Sequence, residues 1–386
     1  MRSTFLSLLA VAGYCAAQSN DTLNATLSGN SELSNLTTFL SANPALLSVL
    51  SNATNITILA PNNEAFGMLL NSSAGENLAS DVGLVSALLS YHVLNGTYSA
   101  SQITNMSAFV PTLLTNETYS NVTGGQRVEA VMIGNETVFY SGLLQNATVS
   151  QADVNFTGGV IHILDRVLTL PESASDTATA ANLTALRGAL NASDLLDAVD
   201  TTPDLTIFAP TNEAFQSIGS ALANLSNDDL ANILTYHVVN SSEPLYSTDL
   251  SNGTSVQTLN GGNLTITIEN GTVFVNAARI ITPNILVANG VVHLIDNVLN
   301  PNNTAAATPS ATSGAPGFTG ASSASEVPFT SGQATPTTQI NPTSEGPGPA
   351  STAVPSSTSG PGVPMRTGAV GAAALLGVAG VVMVGY

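Results

Sequence analysis

Four histidines, at positions 92, 162, 237 and 293, are the side chains of this 386-residue chain best suited to acid–base or metal chemistry. They come in matched settings. His92 and His237 each follow a tyrosine, giving Tyr91-His92 and Tyr236-His237, while His162 and His293 each stand three residues before an aspartate, Asp165 and Asp296. A catalytic or metal reading needs partners at workable spacing, and none is present. There is no HxxxH pair, no HExxH, no GxSxG elbow, no phosphate-binding glycine loop, and no lysine for a Schiff base. His92 shares a helical stripe with Leu88 and Leu89, and His162 alternates with Val160 and Leu164. Histidines so placed read as core residues with satisfied nitrogens. By period-two alternation Asp165 and Asp296 face away from them and read as strand-end polar groups. Asp194, Asp197 and Asp200 recur every third position and read as a solvated helix face. The expectation is a protein that is not an enzyme, with no cofactor and no metal.

The elements that carry these residues are duplicated. Ile56 to Phe66 (ITILAPNNEAF) recurs as Leu205 to Phe215 (LTIFAPTNEAF). Leu88 to Asn95 (LLSYHVLN) recurs as Ile233 to Asn240 (ILTYHVVN), and Gly159 to Leu168 (GVIHILDRVL) as Gly290 to Leu299 (GVVHLIDNVL). Three blocks in the same order, twice, mean two copies of one module. The copies differ in connecting lengths: His92 to His162 spans 70 positions and His237 to His293 only 56, the surplus falling where loops tolerate insertion.

Asn35 to Leu50 has helical periodicity broken at Pro44, and Ile56 to Leu59 is a short strand. Asn63-Glu64 starts a helix, and Leu84 to Val93 forms a second helical stripe. Strands then dominate: Val128 to Ile133, Thr137 to Tyr140 and Val160 to Leu164, and in the second copy Leu264 to Ile268, Thr272 to Val275 and Val291 to Ile295. Glu269-Asn270-Gly271 carries hairpin-turn chemistry. The class is α+β. The boundary between copies falls in the polar stretch Ser173 to Thr179, which sets the domains at 20–171 and 179–301.

The flanks read as processing and spacing segments. Arg2, the apolar run Phe5 to Val11 and Cys15-Ala16-Ala17 form a secretory signal over residues 1–17, whose removal takes the only cysteine. Residues 302–364 are rich in Ser, Thr, Pro, Gly and Ala without apolar period and read as a disordered, extended stalk. Residues 368–386 are apolar with no basic residue after them. With the polar spacer before them and Ser357 as acceptor, they read as a glycosylphosphatidylinositol signal. The mature chain then holds four arginines against 25 acids, which excludes nucleic-acid binding. Twenty-one Asn-x-Ser/Thr sequons run from Asn20 to Asn302, with Asn52, Asn95, Asn121, Asn182, Asn252 and Asn270 as glycosylation candidates. Asn55 and Asn263, within strand-like runs, read as buried.

At the three repeated blocks the sequence resembles the fasciclin (FAS1) family, over about Asn20 to Pro171 and Thr179 to Pro301. The resemblance implies, for each module, a β-wedge of about seven strands with packed helices, used in extracellular adhesion by proteins that are often tandem, N-glycosylated and lipid-anchored. It implies adhesion residues at Tyr91, His92, Tyr236 and His237, where the Tyr-His region of animal members is linked to integrin binding. Expected partners are extracellular matrix, cell-wall polysaccharide or surface proteins, with the membrane reached through the anchor. The alternative is a structural surface glycoprotein or lectin-like polysaccharide binder without a dedicated protein ligand.

Overall fold

A computed structural model describes residues 21–334, apart from 224 and 309, and these fall within a single compact unit. The signal segment to residue 17, the remainder of the stalk, the acceptor Ser357 and the tail 368–386 lie outside the described residues. Among the described residues no helix is long and apolar enough to cross a membrane.

The first module runs α1 Leu23–Gly29, α2 Ser34–Ser41, α3 Pro44–Asn52, β1 Ile56–Pro61, α4 Asn63–Leu70, α5 Ser73–Ser80, α6 Val82–Tyr91, β2 Val93–Asn95, β3 Ala108–Pro111, β4 Arg127–Ile133, β5 Glu136–Tyr140, β6 Asn146–Phe156 and β7 Gly159–Leu164. The second repeats the plan: α7 Ala174–Ala180, α8 Thr184–Ala192, α9 Leu196–Thr201, β8 Leu205–Pro210, α10 Asn212–Ser217, α11 Gly219–Leu222, α12 Asn227–Tyr236, β9 Val238–Asn240, β10 Ser255–Gln257, β11 Asn263–Glu269, β12 Thr272–Val275, β13 Ala278–Val287 and β14 Gly290–Ile295. Each module has a seven-stranded sheet, ordered β2-β1-β7-β6-β5-β4-β3 and β10-β11-β12-β13-β14-β8-β9.

In each sheet the early strand lies parallel to the last one, β1 to β7 and β8 to β14. All six residues of β1 and of β8 are buried, as expected of strands covered on both faces. The glycine that opens the third repeated block follows from this pairing. A Cβ on Gly159 would sit 1.8 Å from the Ile56 carbonyl oxygen, and one on Gly290 would sit 1.9 Å from that of Leu205. Helices cover one side of each sheet, with Leu36, Leu40, Phe66 and Leu88 in the first helical core and Leu186, Leu190, Phe215 and Ile233 in the second.

Local chemistry sets the helix ends one residue earlier than the sequence reading. Asn62, not Asn63, caps α4, its side chain accepting from the Ala65 N–H at 2.8 Å, and Thr211 caps α10 in the same way. Asn63 is thereby free to clamp α2. Its Oδ1 accepts from the Asn35 N–H at 2.9 Å, and its Nδ2 donates to the Ser31 carbonyl at 2.8 Å. Asn212 repeats this clamp on Ala185 and Asn182. Asn270 and Gly271 both have positive φ, 51° and 80°, the type I′ hairpin expected of that pair.

Two expected boundaries move. The polar stretch Ser173 to Thr179 is no linker: Ser173 caps α7, whose Ala174, Ala178 and Ala180 belong to the second module's core. Asp200 is correspondingly not on a solvated face, since its two carboxylate oxygens accept from the Ser175 N–H and hydroxyl at 2.9 and 2.6 Å. The other correction concerns the stalk. Among the described residues of 302–334 there is no helix or strand, as expected of an extended segment, yet they lie as a strap along the second module. The Ala307 and Ala315 N–H groups donate to the carbonyls of Asn276 and Ala277, and the Ala324 N–H to that of Gln216. Phe318, Ala321, Val327 and Phe329 pack against the helical core. Isolated apolar residues in a Ser/Thr/Pro background show no period, but main-chain hydrogen bonds and small residues at the contact need none.

Candidate functional site

The four adhesion candidates sit inside the modules, and this corrects the resemblance-based expectation. Tyr91 and Tyr236 are fully buried, and His92 and His237 nearly so. Each tyrosine ends a helix and donates its hydroxyl across the sheet, Tyr91 to the Arg127 carbonyl at 3.0 Å and Tyr236 to that of Asn263 at 2.8 Å. His92 caps α6. Its Nδ1–H donates to the Leu88 carbonyl at 2.7 Å, and its Nε2 accepts from the Leu168 N–H at 2.9 Å. An acceptor role at Nε2 requires the neutral Nδ1–H tautomer. His237 does the same between Ile233 and Leu299, at 2.8 Å on each side. Both histidines therefore staple a helix C-terminus to the segment after the last strand. Burial lowers both to about 4 against the opposing pull of the carbonyl bond.

The strand histidines take the opposite tautomer. His162 Nε2–H donates to the Tyr98 carbonyl and its Nδ1 accepts from the Asp153 N–H. His293 bridges Leu245 and Asn284 in the same manner. Asp165 and Asp296 accept from the Thr148 and Arg279 N–H groups and do not meet the histidines. Among the described residues no group of three or more His, Cys, Asp or Glu side chains is placed to hold a metal ion.

What the sequence reading did not find is the junction between the modules. The Gln126 side chain, fully buried, donates to the Val287 carbonyl at 3.0 Å. Asn121 donates its main-chain N–H to Ala288 at 2.7 Å and its Nδ2 to Thr201 at 2.8 Å. Thr123 donates both N–H and hydroxyl to the Asp204 carboxylate, at 2.8 and 2.6 Å. Phe109 stacks on Tyr246 with ring centroids 4.2 Å apart. Leu143 and Leu144, both at positive φ, pack into the second module's helical core. A leucine in that region is strained, and here the packing across the junction holds it there.

The signal for this junction was the length difference between copies. Fifteen residues separate β3 from β4 and only five separate β10 from β11; the surplus in the first copy carries Asn121, Thr123 and Gln126. The insertion is an interface rather than a tolerated loop.

The sequons divide accordingly. Asn52, Asn95, Asn182, Asn252 and Asn270 are exposed, as are Asn55 and Asn263, which read as buried from their strand-like context. Asn121 is the exception. Its side chain and that of Thr123 are both engaged at the junction, so a glycan there would compete with the module contact.

A cleft of about 960 Å³ opens beside the junction, between α5 and α6 of the first module and α7 and α9 of the second.

The fasciclin domain family model matches residues 31–171 and 181–301. The chain belongs to the fasciclin domain family. The "Fasciclin-like arabinogalactan protein" of Arthroderma benhamiae is 38% identical over 312 residues, covering 80% of this fasciclin chain and 74% of that one. Human periostin is 31% identical over 254 residues, 64% of this chain and 28% of that one. Among solved structures, a FAS1 domain pair from the insect cell adhesion molecule fasciclin I covers 70% of this chain and 98% of that one, with 23% identity and a TM-score of 0.34.

Proposed function

We propose that this fasciclin-domain chain is a secreted, glycosylated cell-surface adhesion protein, lipid-anchored at Ser357, whose two modules present one composite surface to extracellular matrix, cell-wall polysaccharide or surface proteins. One observation carries this reading: the repeated polar side chains are consumed inside the fold. Tyr91, His92, Tyr236 and His237 each hold two parts of the chain together, which leaves recognition to the outer surface of a joined pair. Exposed acceptor asparagines on both modules and relatives named as arabinogalactan proteins support a glycosylated surface component. The signal and anchor segments read from the sequence supply its address.

The test is saturable binding of the glycosylated protein, residues 21–334, to wall and matrix fractions. Saturation that survives glycosidase treatment identifies a protein surface as the binder. Absence of saturable binding with glycans intact overturns the adhesive role.

A further inference from the structure

In the sequon Asn121-Val122-Thr123, both residues that define an N-glycan acceptor are spent on the junction. Asn121 Nδ2, the atom a glycan would occupy, donates to the Thr201 carbonyl at 2.8 Å, and the Thr123 hydroxyl donates to the Asp204 carboxylate at 2.6 Å. The main-chain N–H groups of the same two residues donate to the Ala288 carbonyl at 2.7 Å and to Asp204 at 2.8 Å. Other groups anchor this connection in its own module. The Gly125 N–H donates to the Val122 carbonyl, the Gln126 N–H to that of Leu114, and the Thr112 N–H to that of Gln126. Without the second module the connection therefore keeps its internal bonds, while Asn121 and Thr123 lose the partners that pin them. Synthesis passes through that state. Asn121 and Thr123 precede their partners by 80 and 81 residues. At about 5–20 residues per second, this is about 4–16 s in which the sequon is complete and the second module is not.

We propose that Asn121 is an N-glycan site whose occupancy decides, chain by chain, whether the two modules join. The donor is a lipid-linked pyrophosphate sugar. The bond from sugar C1 to Asn121 Nδ2 forms and the bond from C1 to the phosphate oxygen breaks. The lipid pyrophosphate leaves, and Nδ2 gives up one of its two protons. The glycan then stands on a nitrogen that lies 2.8 Å from the Thr201 carbonyl in the joined pair. Turning the side chain outward breaks that bond, and the main-chain tie to Ala288 at 2.7 Å still holds the root of the glycan against the second module. A bulky, hydrated oligosaccharide rooted there keeps the two faces apart. Thr123, Gln126 and the stacked Phe109 then lose Asp204, Val287 and Tyr246 together. Bare chains form the joined pair, and occupied chains remain two tethered modules without the composite surface. The inference rests on the chain being a secreted glycoprotein, as proposed.

The test is hydrogen exchange of the full chain secreted from a eukaryotic host, read by mass on peptide fragments that contain Asn121 to Ile133. Bare and glycosylated fragments differ in mass, so both forms are followed in one sample. The expected result is glycan on Asn121 in part of the chains. In bare fragments the Asn121 and Thr123 amides exchange slowly, and in glycosylated ones at least about tenfold faster. The β4 amides in the same fragments stay equally slow in both, which shows the first module folded in each. Residues 21–334 made without glycans in a bacterial host should match the bare form. Equal protection of Asn121 and Thr123 in the two forms would overturn the proposal, since the joined pair would then accommodate the glycan. Asn121 bare in every chain while Asn95 and Asn252 carry glycans would overturn this proposal alone. All three bare would overturn the glycosylated reading beneath it as well.

Discussion

The helical faces of the two modules solve one packing problem by different means. The clamp asparagines align Asn35 with Ala185, so Leu36 matches Leu186 and Leu40 matches Leu190, all four buried. Between them the copies diverge. The first has Phe39, which packs on Phe66 with ring centroids 5.7 Å apart. The second has Ala189 in that place, and its Phe215 is met instead by Phe329 from the strap, edge-on at 6.3 Å. Gly188 stands where the first module has Thr38, and a Cβ there would lie 1.9 Å from the Phe329 carbonyl oxygen. One module is closed by its own helix and the other by the chain that follows it. The first keeps Val49, Met68 and Leu70 exposed, while Gly219, which replaces Leu70, lets Ala324 approach. A duplicated fold need not bury its core with duplicated residues.

The contrast breaks most directly by ending the chain at residue 301. Losing Phe318, Val327 and Phe329 from the second core should cost about 3–5 kcal/mol, the range for removing a large apolar side chain and opening its site. Hydrogen exchange should show β8 and β14 losing protection while β1 and β7 keep theirs. Protection unchanged in β8 would mean the strap adds nothing.

The histidine staples make the opposite prediction, that the modules respond alike. His92→Leu and His237→Leu each leave a buried N–H, that of Leu168 or Leu299, without its acceptor, at about 1–3 kcal/mol by denaturant unfolding. A loss in one module only would show that the shared block has unshared roles.

Acid separates the modules again. The carboxyl of Glu129, buried in β4, is pushed by burial from 4.5 to about 7, with the Ser107 hydroxyl opposing. A raised folded value means its contribution is full below about 4.5 and is lost as pH rises through about 7. His92, His237 and His293, held at about 4, behave in reverse: their contribution is full above 6.5 and is lost as pH falls through about 4. Glu129→Gln should therefore stabilise the first module by about 1–3 kcal/mol at pH 7.5 and change nothing at pH 4.5. Equal effects at both pH values would contradict this assignment.

A smaller test sharpens the strap contrast. Gly188→Ala adds about 1 kcal/mol of intrinsic helix preference yet should lower stability by about 1–2 kcal/mol, because the strap must shift. Thr38→Ala in the first module should be neutral or mildly stabilising.

Much of this was legible in the sequence. Repeated blocks fixed two modules, and the apolar stripe around His92 and the alternation around His162 placed both histidines in the core. The hairpin at Asn270-Gly271 followed from turn chemistry alone. β6 and β13 escaped notice because they are irregular: both pair with register shifts, and β6 is largely exposed. The strap was misread because its contacts depend on where Gly188 and Gly219 stand in space. Gln126 lies in the longer connection of the first copy, which showed only as a length difference, and Asn289 stands outside the repeated blocks; both gain meaning only when the modules meet.

The central claim is that the two modules act as one joined body, and spin-label distance measurement tests it most directly. Residues 21–334 contain no cysteine, so Ser28→Cys on exposed α1 and Asp228→Cys on exposed α12 give two unique attachment points. The account predicts one narrow distance distribution, broadened when Gln126→Ala and Thr123→Val remove two of the side-chain hydrogen bonds across the junction. A distribution already broad in the unaltered chain would mean the modules move independently, and the composite surface and the two-module cleft would both be lost with it.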